Sequence, residues 1–449
     1  MKRRTFLQVS SAVTAGSEFL PLTKWMPDEK LKNWAGNIEY STDKVYTPGS
    51  LEGVQELIKK YPKIKPLGTR HCFNRIADSK HHLLSTREMN KVIALDTQAM
   101  TVTVEGGIKY GELSPFLHQK GYALHNLASL PHISVAGSCA TATHGSGVKN
   151  GNLATAVVGL EMVSADGTVH SLSKEKDGEK FNGVVVGLGA LGIVTKVTLA
   201  IQPTFMMQQY VFENLPMEEL TSHFNQILSA GYSVSLFTDW QSNSINEVWI
   251  KSRSDESETA AAKQEFFGAK AATRNLHPIA ALSAEHCTEQ MGKAGPWHER
   301  LPHFKMGFTP SSGKELQAEY FVAREHAIEA ILAVARLGKQ ISPHLFISEI
   351  RSIAADNYWM SPCYKQRSVT IHFTWKQDWA AVSKILPVIE KELAPFKAKP
   401  HWGKLFTMQP KALAAVYEKL PDFKQLIATY DPKGKFENTY LANFIFDKS

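Results

Sequence analysis

The chain is short of cysteine, of long apolar runs and of concentrated charge, and each shortage removes a class of protein. Its four cysteines among 449 residues, Cys72, Cys139, Cys287 and Cys363, have no metal-ligand spacing, so no metal is expected. In an oxidising compartment they have three ways to pair, and none is expected to act as a nucleophile. No stretch reaches the roughly 20 apolar residues that a membrane-spanning helix needs. The net charge of +7 is diffuse, without a basic stripe interleaved with aromatics, which excludes a nucleic acid partner. There is no internal repeat, no long Pro/Gly/Ser linker, and no low-complexity tract beyond Ala260-Ala261-Ala262. What remains is 449 residues at 43% hydrophobic content, long for one core and ample for two.

The organisation expected is an N-terminal segment over 1–32, a first unit over 33–204, a second over 205–400 and a closing segment over 401–449. The boundary near 204 falls at Gln202-Pro203, where proline stops a strand. The opening run Lys2-Arg3-Arg4-Thr5-Phe6-Leu7-Gln8 and the weakly apolar stretch after it look like a twin-arginine export signal. That predicts passage of the folded protein through the twin-arginine machinery to the periplasm or beyond. With no clean A-x-A site before Trp34, an uncleaved membrane anchor is the alternative.

Within the first unit, Leu51, Val54, Leu57 and Ile58 share a helix face behind a Ser50 N-cap, and a short strand follows from Lys63 to Leu67. Thr101–Val104 reads as a strand and Tyr110–Lys120 as a helix. The run Gly68-Thr69-Arg70-His71-Cys72-Phe73-Asn74 therefore opens at a strand end, where backbone N–H groups can cradle an anion. A second segment, Ala128 to Gly147, is dominated by small residues and would let a ligand lie against the backbone. A third, Gly187-Leu188-Gly189-Ala190-Leu191-Gly192, spells G-x-G-x-x-G. That fingerprint needs a helix after its last glycine, but Ile193-Val194-Thr195-Lys196-Val197-Thr198-Leu199 is β-branched and predicts a strand, so the nicotinamide reading is rejected.

In the second unit, residues from Ser252 to Gly295 are polar and mixed, consistent with helices and a long surface excursion. Two later runs alternate with period two. Glu349 and Arg351 share a face in Phe346–Ile353. In Ser368–Trp375, Thr370, His372 and Thr374 share one face while Val369, Ile371, Phe373 and Trp375 fill the other. The simplest explanation is an antiparallel sheet with one face in water, and the alternative is a catalytic wall.

The glycine-rich segments, with Asn33-Trp34-Ala35-Gly36-Asn37, resemble the FAD domain of the vanillyl-alcohol-oxidase superfamily. Pro400-His401-Trp402-Gly403-Lys404 and the closing Asp431–Asn438 extend the likeness over nearly the whole chain, most like its alditol oxidase and aldonolactone oxidase branch. The resemblance implies an α+β fold: a split PCMH-type FAD-binding domain plus a cap (substrate) domain with a large antiparallel sheet flanked by helices. It implies FAD bound covalently through His71. The further cofactor contacts it implies are Gly68, Thr69, Arg70, Cys72, Ser129, Ser134, Val135, Gly137, Ser138, Thr141, His144, Gly145, Gly192, Ile193 and Val194. Thr69 and Arg70 depart from the family's Ser and Gly, and Arg70 is strained if its φ is positive. Leu130 stands where some relatives carry a second flavin-linking cysteine.

The same resemblance implies substrate contacts from Ser129, Glu349, Arg351, Thr374 and Lys404. Arg351 and Lys404 would stabilise developing negative charge, His372 would accept the proton, and Glu349 would share that role or orient Arg351. The activity implied is FAD-dependent oxidation of an alditol's terminal hydroxyl, with molecular oxygen as electron acceptor giving hydrogen peroxide; a quinone or cytochrome is another acceptor. An aldonolactone oxidase or dehydrogenase and a flavin-free carbohydrate-binding protein are the rivals.

Overall fold

The computed structural model describes residues 30–255, 264–307 and 314–448. The Arg3-Arg4 motif lies outside the described residues. No helix among the described residues is long and apolar enough to cross a membrane.

The first unit begins as its sequence pattern dictates. Helix Leu51–Lys60 is capped by the Ser50 side chain, which accepts from the Gly53 N–H, and it buries Val54 and Ile58. The strand after it is shorter than expected, Lys65–Leu67, and joins Leu83–Ser85 and Val45–Tyr46 in a three-stranded parallel sheet. A second, antiparallel sheet of five strands runs in the order Val92–Asp96, Thr101–Glu105, Ile193–Ala200, Val157–Val163, Val169–Ser173. The residues after Gly192 form its central strand, Ile193–Ala200, whose strict buried/half-buried alternation comes from β-branched side chains packing on one face. Small residues 135–139 form a single buried helical turn, Val135–Cys139.

The second unit is built on a ten-stranded sheet, antiparallel at every junction. Its centre runs Met206–Pro216, Ser244–Arg253, Ser233–Thr238, Leu345–Ile353, Ser368–Lys376, Glu315–Ala323. One face carries Val369, Ile371, Phe373 and Trp375, which pack with Ile331, Val334, Leu386 and Ile389 of helices Ala327–Ala335 and Trp379–Leu393 in one core. Helices and a long surface excursion were expected between Ser252 and Gly295. The described residues there instead form short strands Glu265–Phe266 and Ala269–Ala271 and a 3-10 turn Ala284–His286, because Pro278 and scattered glycines interrupt any helical period.

The chain then returns to the first unit. Leu413, Phe423, Leu426 and Tyr440, from helices Pro410–Val416, Leu420–Tyr430 and Thr439–Phe444, share a core with Phe181 and Val184. This return places the segment around Lys404 between the two units.

Candidate active site

A cavity of about 330 Å³ runs from the Gly187–Val194 turn, past the Gly68–Phe73 loop, to the opposite face of the large sheet. Its first half is lined by the glycine-rich backbone of Gly68, Gly137, Gly187, Gly189 and Gly192 together with apolar side chains such as Leu160, Met162, Val184 and Leu191. A Cβ added to Gly192 would lie 2.5 Å from the Val163 carbonyl oxygen, so backbone would have to move, and one added to Gly137 would lie 2.8 Å from Ser134 Oγ, which would have to turn aside. Arg70 has φ +64°, the left-handed conformation that glycine supplies without cost. Its strain is held by partners: the Arg70 carbonyl accepts from the Trp34 N–H at 2.8 Å, and Arg70 Nη1 donates to the Lys32 carbonyl at 3.0 Å.

The loop is tied to the far end of the site through its neighbours. Asn33 Nδ2 donates to the Cys72 carbonyl and Asn37 Nδ2 to the Phe73 carbonyl, both at 3.0 Å. Asn74 Nδ2 reaches the carbonyls of Trp402 and Lys404, each at 2.7 Å. His71 lines the cavity and stacks on Trp34 with ring centroids 5.2 Å apart. Burial, with the charges of His132, Arg70 and Lys109, pushes its pKa down to about 3, so its imidazole is neutral. The residues present fit an FAD: the glycines of the Gly187–Val194 turn and of the Gly68–Phe73 loop would let it lie against backbone, and His71 would be within its reach.

Most expected cofactor residues line this cavity: Gly68, Thr69, Arg70, His71, Cys72, Ser129, Gly137, Ser138, Thr141, Gly192, Ile193 and Val194. Four are placed differently. Ser134 and Val135 sit behind the lining, where the Ser134 N–H donates to Thr69 Oγ1 at 3.4 Å and Val135 is wholly buried in the core. Gly145 lies under Leu127 and Asn126, and a Cβ there would meet the Leu127 carbonyl oxygen at 2.3 Å. His144 lines the cavity but belongs to the charged end, with Nε2 3.3 Å from Glu319 Oε1. The four cysteines are unpaired, and burial pushes Cys72, Cys139 and Cys287 up to about 12.

At that charged end, sheet register aligns Glu319, His372 and Glu349 in one row across three strands, with Arg351 opposite Thr370 in the next. This face is buried, with His372 at 6%, Glu349 at 5% and Arg351 at 5% exposure, so the solvated-face reading of the alternation is wrong. Glu319 is the hub. Its Oε1 accepts from Arg351 Nη2 at 2.8 Å and its Oε2 from Lys404 Nζ at 2.6 Å. Burial alone would raise its pKa, but Lys404, His144 and Arg351 outweigh that and hold the carboxyl well below the usual range. Burial lowers the Lys404 pKa against the pull of Glu319. Arg351 Nη1 also approaches Ser129 Oγ at 3.4 Å, linking the row to the small-residue segment.

Sequence reasoning missed Glu319, His303 and Gln317, although Glu315, Gln317 and Glu319 alternate with Leu316, Ala318 and Tyr320 at the same period that exposed the other two strands. The assignment of His372 as proton acceptor also changes. Its Nδ1 accepts from Lys404 Nζ at 2.8 Å, which leaves the ring proton on Nε2, 3.0 Å from Thr374 Oγ1. Both nitrogens are engaged, and burial, with Lys404, pushes the pKa down to about 4. Glu349 is better placed. Its Oε1 accepts from His303 Nε2 at 2.7 Å, while Oε2 has no partner among the described residues. Its carboxyl lies well below the usual range because Arg351, His303 and His372 outweigh the effect of burial.

A cradle for a flavin dinucleotide abutting a buried charged row defines an FAD-dependent oxidoreductase. The family described as "FAD binding domain" matches residues 42–173, and that described as "D-arabinono-1,4-lactone oxidase" matches residues 309–444. The chain is 44% identical to an alditol oxidase of a Streptomyces species, covering 92% of this chain and 98% of the relative. It is 26% identical to the L-gulonolactone oxidase of Mus musculus, covering 93% and 98%. Cholesterol oxidase from B. sterolicum shares the fold with a TM-score of 0.74 at 13% identity, covering 92% of this chain and 96% of that one. The chain belongs to the alditol oxidase family, within the vanillyl-alcohol-oxidase superfamily.

Proposed function

We propose that this protein oxidises the terminal hydroxyl of an open-chain alditol of the xylitol or sorbitol kind to the aldehyde. The observation that carries this reading is the buried row itself, in which Arg351 and Lys404 meet on Glu319, Arg351 Nε lies 3.5 Å from Glu349 Oε1, and Glu349 Oε2 is left without a partner among the described residues at the end of the cavity. A polyol offers only hydroxyls, and Ser129, Glu349, Arg351, Thr374 and Lys404 provide donors and acceptors to match them. Bound FAD supplies the hydride acceptor. Lys404 and Arg351 polarise the substrate oxygen, acting as fixed charges in a buried site where negative charge develops. Glu349 Oε2 takes the hydroxyl proton. A weak base suffices when proton loss accompanies departure of hydride, because the oxygen is then that of a protonated carbonyl, far more acidic than an alcohol. His372 holds Lys404 and Thr374 in place.

The proposal extends to three finer points. Covalent attachment of FAD through His71 is supported by a neutral imidazole lining the cavity. Molecular oxygen is the electron acceptor, with hydrogen peroxide released. Export through the twin-arginine machinery is supported by Lys2-Arg3-Arg4 and predicts cytoplasmic retention when Arg3 and Arg4 are both changed to Lys. A lactone substrate is the second reading, favoured by the family match over residues 309–444.

The deciding experiment is a peroxide assay of the purified yellow protein across xylitol, sorbitol and aldonolactones. Turnover confined to the lactones would overturn the alditol assignment. Colour that stays with acid-precipitated wild type and leaves the His71→Ala variant locates the flavin link; colour retained by that variant would refute it.

A further inference from the structure

The hydrogen bond that pins Glu349 Oε1 comes from outside the charged row. His303 Nδ1 lies 3.1 Å from Lys251 Nζ, which is itself 2.7 Å from the Leu301 carbonyl and 2.8 Å from the Pro302 carbonyl. Three acceptors match the three N–H bonds of an ammonium, which has no lone pair to offer in return. His303 Nδ1 is therefore the acceptor, the ring proton sits on Nε2, and Nε2 donates to Glu349 Oε1. The ring cannot readily turn. Trp249 and Phe237 pack edge-on against it at centroid distances of 5.3 and 5.6 Å. Its backbone is held as well: the His303 N–H donates to the Ser129 carbonyl at 3.1 Å, and Thr288 Oγ1 donates to the Pro302 carbonyl at 2.7 Å.

We infer that Lys251 and His303 form a positioning dyad for the oxidation. The lysine fixes the imidazole tautomer, the imidazole N–H pins one carboxylate oxygen of Glu349, and the other oxygen is left free to take the substrate's hydroxyl proton. The inference rests on the proposed alcohol oxidation, in which the carbon-bound hydrogen leaves with its electron pair to FAD, the oxygen-bound hydrogen leaves as a proton to Glu349 Oε2, and the carbonyl double bond forms. The groups facing Glu349 are Arg351 on its own strand, His372 on the next, Lys404 from the returning segment, and His303 from the loop, with Lys251 behind it. Burial pushes His303 down to about 4, so around neutral pH the ring is uncharged; it pushes Lys251 down to about 7, and where the lysine loses its proton the ionised Glu349, which can only accept, still keeps the ring proton on Nε2.

The test uses full-length, FAD-loaded enzyme and anaerobic flavin reduction by saturating xylitol across a range of pH. Losing a hydrogen bond to a charged group predicts that His303→Leu slows reduction by on the order of tenfold. It also raises the Glu349 pKa, so an acid limb absent from the wild-type profile enters the measurable range. His303→Gln, which still offers an amide N–H, restores most of the rate and removes the limb. Lys251→Met gives a smaller loss in the same direction and decides the matter should His303→Leu not fold. Wild-type rates without an acid limb in the dyad variants, alongside a slow Glu349→Gln, would overturn the dyad alone. So would a folded, yellow His303→Gln no faster than His303→Leu. Wild-type reduction by Glu349→Gln would instead sink the proton-acceptor assignment and the dyad with it.

Discussion

The two ends of the cavity are built on opposite principles. The cradle end is made largely of glycine-rich backbone and apolar side chains drawn from short contiguous segments, Gly68–Phe73, Ala136–Thr141 and Gly187–Val194, and it works by leaving room. The charged end is made of long ionisable side chains from three neighbouring strands and from the Lys404 and His303 loops, and it works by cancelling charge. A cofactor held through backbone needs little side-chain chemistry, whereas transition-state charge needs groups fixed where water cannot screen them. The cradle should therefore fail by steric intrusion and the charged row by unbalanced charge.

The sharpest way to break this contrast is at the hub. Glu319→Leu strands two buried cations, and losing one member of such a cluster typically costs about 3–5 kcal/mol of stability. Thermal or denaturant unfolding of the variant should show it, and a loss below 1 kcal/mol would mean that the row is solvated. Next come the cations themselves. Arg351→Met or Lys404→Met should lower the anaerobic rate of flavin reduction by about 10²–10³ at saturating polyol, roughly 3–4 kcal/mol. An effect confined to KM would reduce them to ground-state grips.

At the other end, Gly192→Ala should cost about 1–3 kcal/mol and lower FAD content, because its Cβ meets backbone that must move. Normal loading would show that the turn yields freely. The pH dependence tests the same contrast. His303 and His372 are depressed to about 4, so both are neutral when folded and bind protons more readily when unfolded. Their contribution to stability is complete above about pH 6.5 and is lost as pH falls toward 4, at up to about 1.4 kcal/mol per pH unit for each. An unfolding midpoint flat across that window would contradict the buried neutral state.

How far each end was legible follows from the same contrast. The glycine loops, the Ser50 cap and the strand after Gly192 could be read because their signals are local. Helices and a surface excursion were all that could be read between Ser252 and Gly295, because a mixed polar stretch has no period to follow, and its described residues form short strands and a 3-10 turn. Period-two alternation marked Glu349, Arg351, His372 and Thr374 as facing together but could not say whether they faced water. Glu319 carries the same alternation in Glu315–Ala323 and was passed over, since nothing local distinguishes a carboxylate on a solvated face from a buried hub. His303 has no periodic signal at all, being placed by the Lys251 and Thr288 contacts of a loop.

The sequence by itself determined where the strands, caps and tight glycine turns fall, because backbone sterics and side-chain periodicity act over a few residues. Only the tertiary structure decided that the alternating face is closed over by the first unit and that Glu319 pairs with both Arg351 and Lys404. It also decided that His372 is occupied while Glu349 keeps one oxygen free. Those outcomes depend on sheet register and on which charges share a water-poor space, and both are set by segments distant in sequence, 32 residues apart for Glu319 and Arg351, 85 for Glu319 and Lys404, and 222 for Ser129 and Arg351.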